Sequence, residues 1–485
     1  MRISGFASGL DIDAMVKQLM TAERAPLDKL NQQKQQTEWK REGYREVSTK
    51  LVSFNEKLTS LSLSSAIDSK KAVVSGASVV TATATGAATN SVFNIQVKNL
   101  ASATNVIFKG VANATKISDI YSGTQTSLQI GSATIDFSAN DTIDSLVSKI
   151  NSNKDAGVTA VFDSATGSLS LTSKKTGGAA ISFGATSDFF TSANTKLSTS
   201  GQALGKDATV LINGIETKQS SNHFSVNGVD FTLTGVTPDG QSTQVEVAQD
   251  VDKVVETIKA FVDTYNEALA LLNKKTGEER YRTYLPLTSE QKEAMKEDEI
   301  KLWEEKAKSG MLRNDSILSK TTSDMRTSLF ADVTLPNGTK VNLAQFGITT
   351  GSYSEKGKLH IDETKLREAI EANPDGAYAL FGQTDSSATV TNNSKDGIFN
   401  RIKKINSAAL QSLYDRAGTS KFSSDLTTAF LPESELGLQL RNYDDRIADM
   451  NRRLTMIENR YYQQFTAMET AMNKYNSISS SLFSS

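Results

Sequence analysis

Residues 440–475 read LRNYDDRIADMNRRLTMIENRYYQQFTAMETAMNKY. Leu440, Tyr443, Ile447, Met450, Leu454, Ile457 and Tyr461 recur at alternating steps of three and four. That spacing puts them on one stripe of an α-helix. Phe465, Met468, Met472 and Tyr475 continue the stripe after an extra four-residue step, a stutter that relaxes left-handed supercoiling. A helix from Leu438 to Leu482 extends roughly 68 Å at about 1.5 Å per residue. No single-domain core needs such a helix, so a coiled coil within or between chains is expected.

The other end of the chain mirrors it. Tyr44, Val47, Leu51, Phe54, Leu58 and Leu61 form a regular apolar seam, preceded by a looser one of Met15, Leu19, Leu27 and Leu30. Proline has no N–H for helical bonding, so Pro26 is expected to end one helix and open a second. Asn31-Gln32-Gln33-Lys34-Gln35-Gln36, between the seams, is too polar to hold itself together alone. The seam at 44–61 reads as ordinary bundle core. The polar ends, 1–43 and 440–485, read as terminal coiled-coil segments that pack against other chains.

Between these ends the period changes. Leu128-Gln129-Ile130, Gly131-Ser132 and Ile135-Asp136-Phe137 predict a hairpin with a Gly-first turn. Asn140-Asp141 offers a helix cap before Ile143, Leu146, Val147 and Ile150. Val158, Ala160 and Phe162 pair through a turn at Gly167 with Leu169 and Leu171, and Asn213-Gly214 and Asn227-Gly228 mark further hairpins. Helix returns at Asp250 with Val251, Val255, Ile258, Val262, Tyr265, Leu269 and Leu272. Thr288-Ser289-Glu290-Gln291 has the form of a capping box, Lys296–Lys308 is a solvated charged face, and Asp362 caps a helix that Asn373-Pro374 stops.

The expected fold is therefore α+β and multidomain: a coiled-coil and helix-bundle stalk formed by both chain ends, with inserted β-rich heads. Residues 44–69 and 251–439 make the helical stalk domain, 70–112 and 200–250 a β-rich head, and 113–199 a second, inserted head.

Composition narrows the function. The 485 residues predict about three domains, and 38% hydrophobic with 22% charged content fits a folded protein. The net charge of -2 leaves no electrostatic footprint for nucleic acid or anionic membrane. There is no cysteine, which excludes disulfides and thiolate chemistry. Only His223 and His360 are present, far apart, so a His-rich metal site is not expected. His360 reads as a structural residue in a strand, and His223 as a loop residue with no evident carboxylate partner. Neither a signal peptide nor a membrane-length apolar run is seen, so only export without a cleaved signal would take the chain out of the cytosol. P-loop, nucleophile-elbow and zincin motifs are absent, and Asp444-Asp445 are neighbours on a helix that cannot flank one substrate. No enzyme and no cofactor are expected.

Several stretches resemble the flagellar filament cap family, the hook-associated protein 2 family. Ser4-Gly5-Phe6-Ala7-Ser8-Gly9-Leu10-Asp11, Met15-Val16 and Glu23-Arg24-Ala25-Pro26 are similar to its N-terminal signature. Phe261-Val262-Asp263-Thr264-Tyr265-Asn266, Gly357-Lys358-Leu359-His360-Ile361-Asp362 and Arg460-Tyr461-Tyr462-Gln463-Gln464-Phe465 resemble its later helices and strands. Ile143 to Asn151, Gly157-Val158-Thr159-Ala160 and Gly167-Ser168-Leu169-Ser170-Leu171 resemble a repeat of hook and flagellin-type proteins. The resemblance implies type III export and a ring-shaped homo-oligomer, a pentamer, at the filament tip. Its implied partners are itself, flagellin, hook-associated junction proteins and a cytosolic export chaperone. Self-assembly and filament binding are assigned to Val16, Leu19, Leu27, Leu30, Tyr443, Ile447, Met450, Leu454 and Ile457. Chaperone binding is assigned to the aromatic and Met stripe Tyr461, Phe465, Met468, Met472 and Tyr475. Another hook-associated or filament protein, or a surface adhesin with a coiled-coil stalk, is the alternative.

Overall fold

The computed structural model describes residues 11–184, 188–386 and 393–483, without the side chains of Ser64, Ser65 and 480–483. The run Ser4 to Leu10 lies outside the described residues. The chain divides into two compact units: Met1–Ile67 with Asp252–Ser485, and Asp68–Val251.

The first unit is built on long helices. One runs from Ile12 to Leu61 without interruption, with Pro26 inside it. The expected break at Pro26 is thus corrected. Pro26 and Ala22, whose carbonyl loses its helical donor, are both solvent-exposed, so water can satisfy that carbonyl. Met20 and Leu30 on either side are buried and keep the axis continuous. Tyr44, Val47, Leu51, Phe54, Leu58 and Leu61 are all buried, as a bundle seam requires.

Helix Val251–Gly277 contributes Val255, Ile258, Val262, Tyr265, Leu269 and Leu272 to the core of this unit. Phe261 meets Phe399 of helix Ile398–Ala417 with ring centroids 4.9 Å apart. The buried Arg401 of that helix donates to the carbonyls of Ser328, Ala331 and Asp332, at and beyond the C-terminal end of helix Ser316–Phe330. It so satisfies acceptors that the helix leaves open. Thr288 and Gln291 form the expected capping box. At Asn373-Pro374 the helix Glu363–Ala372 does end, but Pro374 opens another, Pro374–Gly382, with Asn373 as its cap. His360 lies exposed in strand Leu359–Ile361, which pairs with Ile348–Thr350, and its Nε2 meets Glu355.

The second unit holds two cores. In the first, strands Lys70–Gly76, Thr243–Gln249, Ser91–Asn99, Ala208–Ile212 and Ile215–Gln219 form, in that order, an antiparallel sheet. A three-stranded sheet, His223–Val226, Val229–Leu233 and Val80–Ala84, faces it across Val80, Phe93, Ile95, Val210, Phe231 and Val245. Phe93 and Phe231 meet edge to face at 5.4 Å. Asn213 and Gly214 take φ of 51° and 83° at one hairpin, and Asn227 and Gly228 take 49° and 78° at another. His223 opens a strand there, with Nδ1 3.0 Å from the Thr232 hydroxyl.

The second core belongs to an inserted module. Its four-stranded sheet has the order Val158–Asp163, Ser168–Thr176, Ala103–Lys109, Ser198–Ala203. Hairpin Ser127–Ile130/Ala133–Asp136 and helix Ile143–Ser152 complete it. The module therefore starts before residue 113, because Val106 and Phe108 pack with Leu169 and Leu171 rather than into the first core. The helix cap is Thr142, whose hydroxyl accepts from Ser145 N–H at 3.1 Å, and not Asn140-Asp141. Asp141 instead accepts from Ser138 N–H and from Lys149.

Candidate assembly interface

The apolar stripe from Leu440 to Tyr475 lies on helix Glu435–Phe483, which spans roughly 73 Å at about 1.5 Å per residue. It packs against helix Ile12–Leu61. The two run antiparallel, because partners descend on one as they ascend on the other. Tyr462 donates its hydroxyl to Asp13 at 2.9 Å, Tyr461 donates to Glu23 at 2.9 Å, and Lys34 pairs with Asp444 at 2.6 Å. Arg41 closes the series, donating to Leu431 O at 2.8 Å and Ala417 O at 2.7 Å while stacking on Phe430.

The apolar centre of the pair is small. Ile12, Val16, Met20 and Leu454 are buried, and Leu27, Met450, Ile457, Tyr461, Tyr462 and Phe465 pack around them half-buried. Leu30 is buried further along the same helix, and Tyr443 and Ile447 are half-buried on the facing one. Leu19 departs from the expected seam and stands 40% exposed. Ile12, Val16 and Met20 step by four, so the buried stripe passes to Met20 and turns Leu19 outward. Of the Met and aromatic stripe, Tyr461 and Phe465 pack on the N-terminal helix, Met468 and Met472 are half-buried, and Tyr475 is 73% exposed.

Polar contacts fix the register of this pair. The hydrogen bond to Glu23 pushes the Tyr461 phenol up from its ordinary value, and the bond to Asp444 does the same for the Lys34 ammonium. Both effects favour the protonated donor that the contact needs. The spacing of Ile12 with Val16 and Met20 was legible in the sequence. The pairing of Tyr461 and Tyr462 with carboxylates more than 400 positions away was not.

Among the described residues no group of three or more His, Asp or Glu side chains could hold a metal ion. A cleft of about 780 Å³ in the helical unit is lined by Asn273, Thr276, Ser319, Ser323, Arg326 and Phe330, with no carboxylate or imidazole among its described lining residues. Asp444 is committed to Lys34, and among the described residues no helix is long and apolar enough to cross a membrane.

With two long terminal helices paired and β cores inserted between them, comparison with known proteins becomes decisive. Residues 205–477 match the family described as flagellar hook-associated protein 2 C-terminus, and 8–104 the corresponding N-terminus. The chain belongs to the flagellar hook-associated protein 2 family. Residues 119–175, inside the inserted module, match the flagellin hook IN motif. The flagellar hook-associated protein 2 of Halalkalibacterium halodurans is 33% identical over 539 aligned positions, covering 99% of both chains. That of Escherichia coli K12 is 26% identical and covers 99% of this chain and 96% of its own. The solved D1-D2-D3 domains of the Escherichia coli flagellar cap protein share the fold with a TM-score of 0.52 at 23% identity, over 77% of this chain and 95% of theirs. The hook-associated protein 2 helices after the β unit are thus accounted for, from Phe261 to the Arg460–Phe465 run.

Proposed function

We propose that this chain caps the distal tip of the bacterial flagellar filament, outside the cell. Copies of it form a ring of five that holds newly exported flagellin until it folds and polymerises beneath, and prevents exported subunits from leaking away. The chain is a structural component rather than an enzyme and acts without a cofactor. The observation that carries this reading is the ordered family match, running through both paired helical ends and the β unit between.

The terminal helices supply self-assembly and filament contact. Their mutual seam buries only one face of each, and Leu19, Leu438, Met456, Tyr475 and Ile478 remain as exposed apolar residues for other copies, flagellin or junction proteins. Before export, Tyr461, Phe465, Met468, Met472 and Tyr475 form a stripe that suits a helix-in-groove partner, a cytosolic chaperone.

Electron microscopy of a strain lacking this chain tests the capping role. Short or absent filaments with flagellin in the medium are expected; normal filaments would refute it. For the chaperone, calorimetric titration of a peptide spanning 440–485 is the measurement. Changing both Phe465 and Met468 to Ala should cost about 2 kcal/mol or more if they are anchors. Unaltered affinity would move the site elsewhere.

A further inference from the structure

A side-chain amide sets an N–H donor beside a C=O acceptor, as does the backbone of a residue on an open strand edge. Among the described residues, four amides pair with one residue's backbone in that way. Asn151 accepts from Ala160 N–H at 2.7 Å and donates to Ala160 O at 2.9 Å. Asn222 does the same to Ala101 at 2.8 and 2.9 Å, Gln202 to Ile181 at 2.8 and 2.8 Å, and Asn266 to Leu359 at 2.8 and 3.0 Å. Each side chain imitates a neighbouring strand one residue long.

Asn266 covers a strand of the two-stranded sheet, and Asn151 covers the edge of the larger, four-stranded one. Ala160 lies in Val158–Asp163, the terminal strand of the four-stranded sheet. Lys174 N–H bonds Gly157 O at 2.8 Å, so residue 157 faces the neighbouring strand. By alternation Val158, Ala160 and Phe162 then turn their N–H and C=O groups to the open side. The other terminal strand, Ser198–Ala203, is protected differently, by a register shift against Ala103–Lys109 and by Gly201 at φ 103°. Without Asn151 the first edge would lack such protection.

We propose that Asn151 is an edge guard: it holds within one chain the two hydrogen bonds that Ala160 of a second copy would otherwise make. The edge suits its own copy. Antiparallel self-pairing centred on Ala160 sets Val158 opposite Phe162, Thr159 opposite Val161 and Gly157 opposite Asp163. The first two are β-branched and aromatic pairs, and no like charges are opposed. Val161 is already 60% exposed on the outward face. The guard acts whatever the ring does, and it keeps sheet pairing out of the contacts between copies. Asn151 is itself exposed, so replacing it opens the edge without emptying a core.

The test uses the full chain, folded and well below its melting temperature. Asn151→Ala should show a concentration-dependent species beyond the wild-type distribution in sedimentation velocity. Hydrogen exchange of the 158–163 peptide should be roughly tenfold faster at low concentration, two bonds being lost, and should slow again as concentration rises. Adding Val161→Lys, a charge on the edge strand, should abolish the new species. Leu171→Ala, which weakens the same core without uncovering the edge, should not produce it. Wild-type sedimentation in Asn151→Ala, failure of Val161→Lys to reverse it, or equal association of Leu171→Ala would each overturn the proposal. Should Asn151→Ala not fold, Asn151→Gln, one methylene too long to keep both bonds in register, is read by the same criteria.

Discussion

The inserted module and the terminal helix pair are stabilised on different scales. Among the described residues, twenty-three buried hydrophobic side chains make up the module's core, against four at the centre of the helix pair. Leu171 belongs to the same buried cluster as Phe108, Leu169 and Ile150, and nothing of it reaches solvent. Leu454 clusters, among the described residues, with Ile12, Val16 and Met20 of the facing helix, and its own helix exposes Met456 two residues later at 64%. A sheet backed by a helix and a hairpin can close a core around its own residues. Two helices in contact share a single seam, so most of each surface stays open. The module thus closes a core of its own, whereas the helix pair buries a narrow seam and leaves apolar side chains such as Met456 and Tyr475 exposed.

Removing residues 440–485 should produce the largest effect. Ile12, Val16 and Met20 lose their cover, and the stretch from Ile12 to about Leu30 loses its facing helix and is left marginal in water. Light scattering should show weaker or altered self-association, and circular dichroism a loss of helix beyond the deleted residues. The melting of the β unit should not change, because its two cores are built from its own residues. Identical oligomers with and without the segment would break the comparison.

Single truncations sharpen it. Leu171→Ala should destabilise the inserted module by about 3–4 kcal/mol, and Leu454→Ala should destabilise the helix pair by about 2 kcal/mol, since an open site collapses or hydrates more easily than a closed one. Chemical denaturation followed by hydrogen exchange in each region separates the two. Equal costs would mean that the helix seam is as enclosed as the module's core.

The smallest effect is that of pH, and it has opposite signs in the two regions. In the module, hydrogen bonds hold Asp119, Asp141 and Asp163 below the ordinary value of 3.8, chiefly from Lys116 N–H, the Lys149 ammonium and the Thr166 hydroxyl. Their contribution is present above that value and is lost as pH falls through the depressed ones. In the helix pair, Tyr461 and Lys34 are raised above ordinary values of 10.0 and 10.5. Their contribution is present below those values and is lost as pH rises through the raised ones. Exchange mapping at about pH 3 should therefore loosen the module first, and at about pH 11 the helix pair first. Exposure keeps both effects modest, and salt should reduce them. The same region loosening first at both extremes would refute the assignment.

What the sequence determined by itself was everything that rests on residues a few positions apart. The bundle seam from Tyr44 to Leu61, the Asn-Gly turns at 213 and 227, and the Thr288 capping box each need only their own neighbours, and each formed as read. The long terminal stripe was legible for the same reason, since its period is a property of one helix. Tertiary structure decided the rest. Pro26 stays inside a helix because its face is open to water while flanking residues are held by another helix. Leu19 loses its place to Met20 because only the packed pair selects which of two adjacent apolar positions turns inward. The module's edges fall at Ala103 and Ala203 because strand pairing, not composition, assigns a residue to a core. Asn151 acquires its partner for the same reason. A polar side chain carries the capacity for two bonds wherever it stands, but only a fold can set a strand edge at the right distance to receive them.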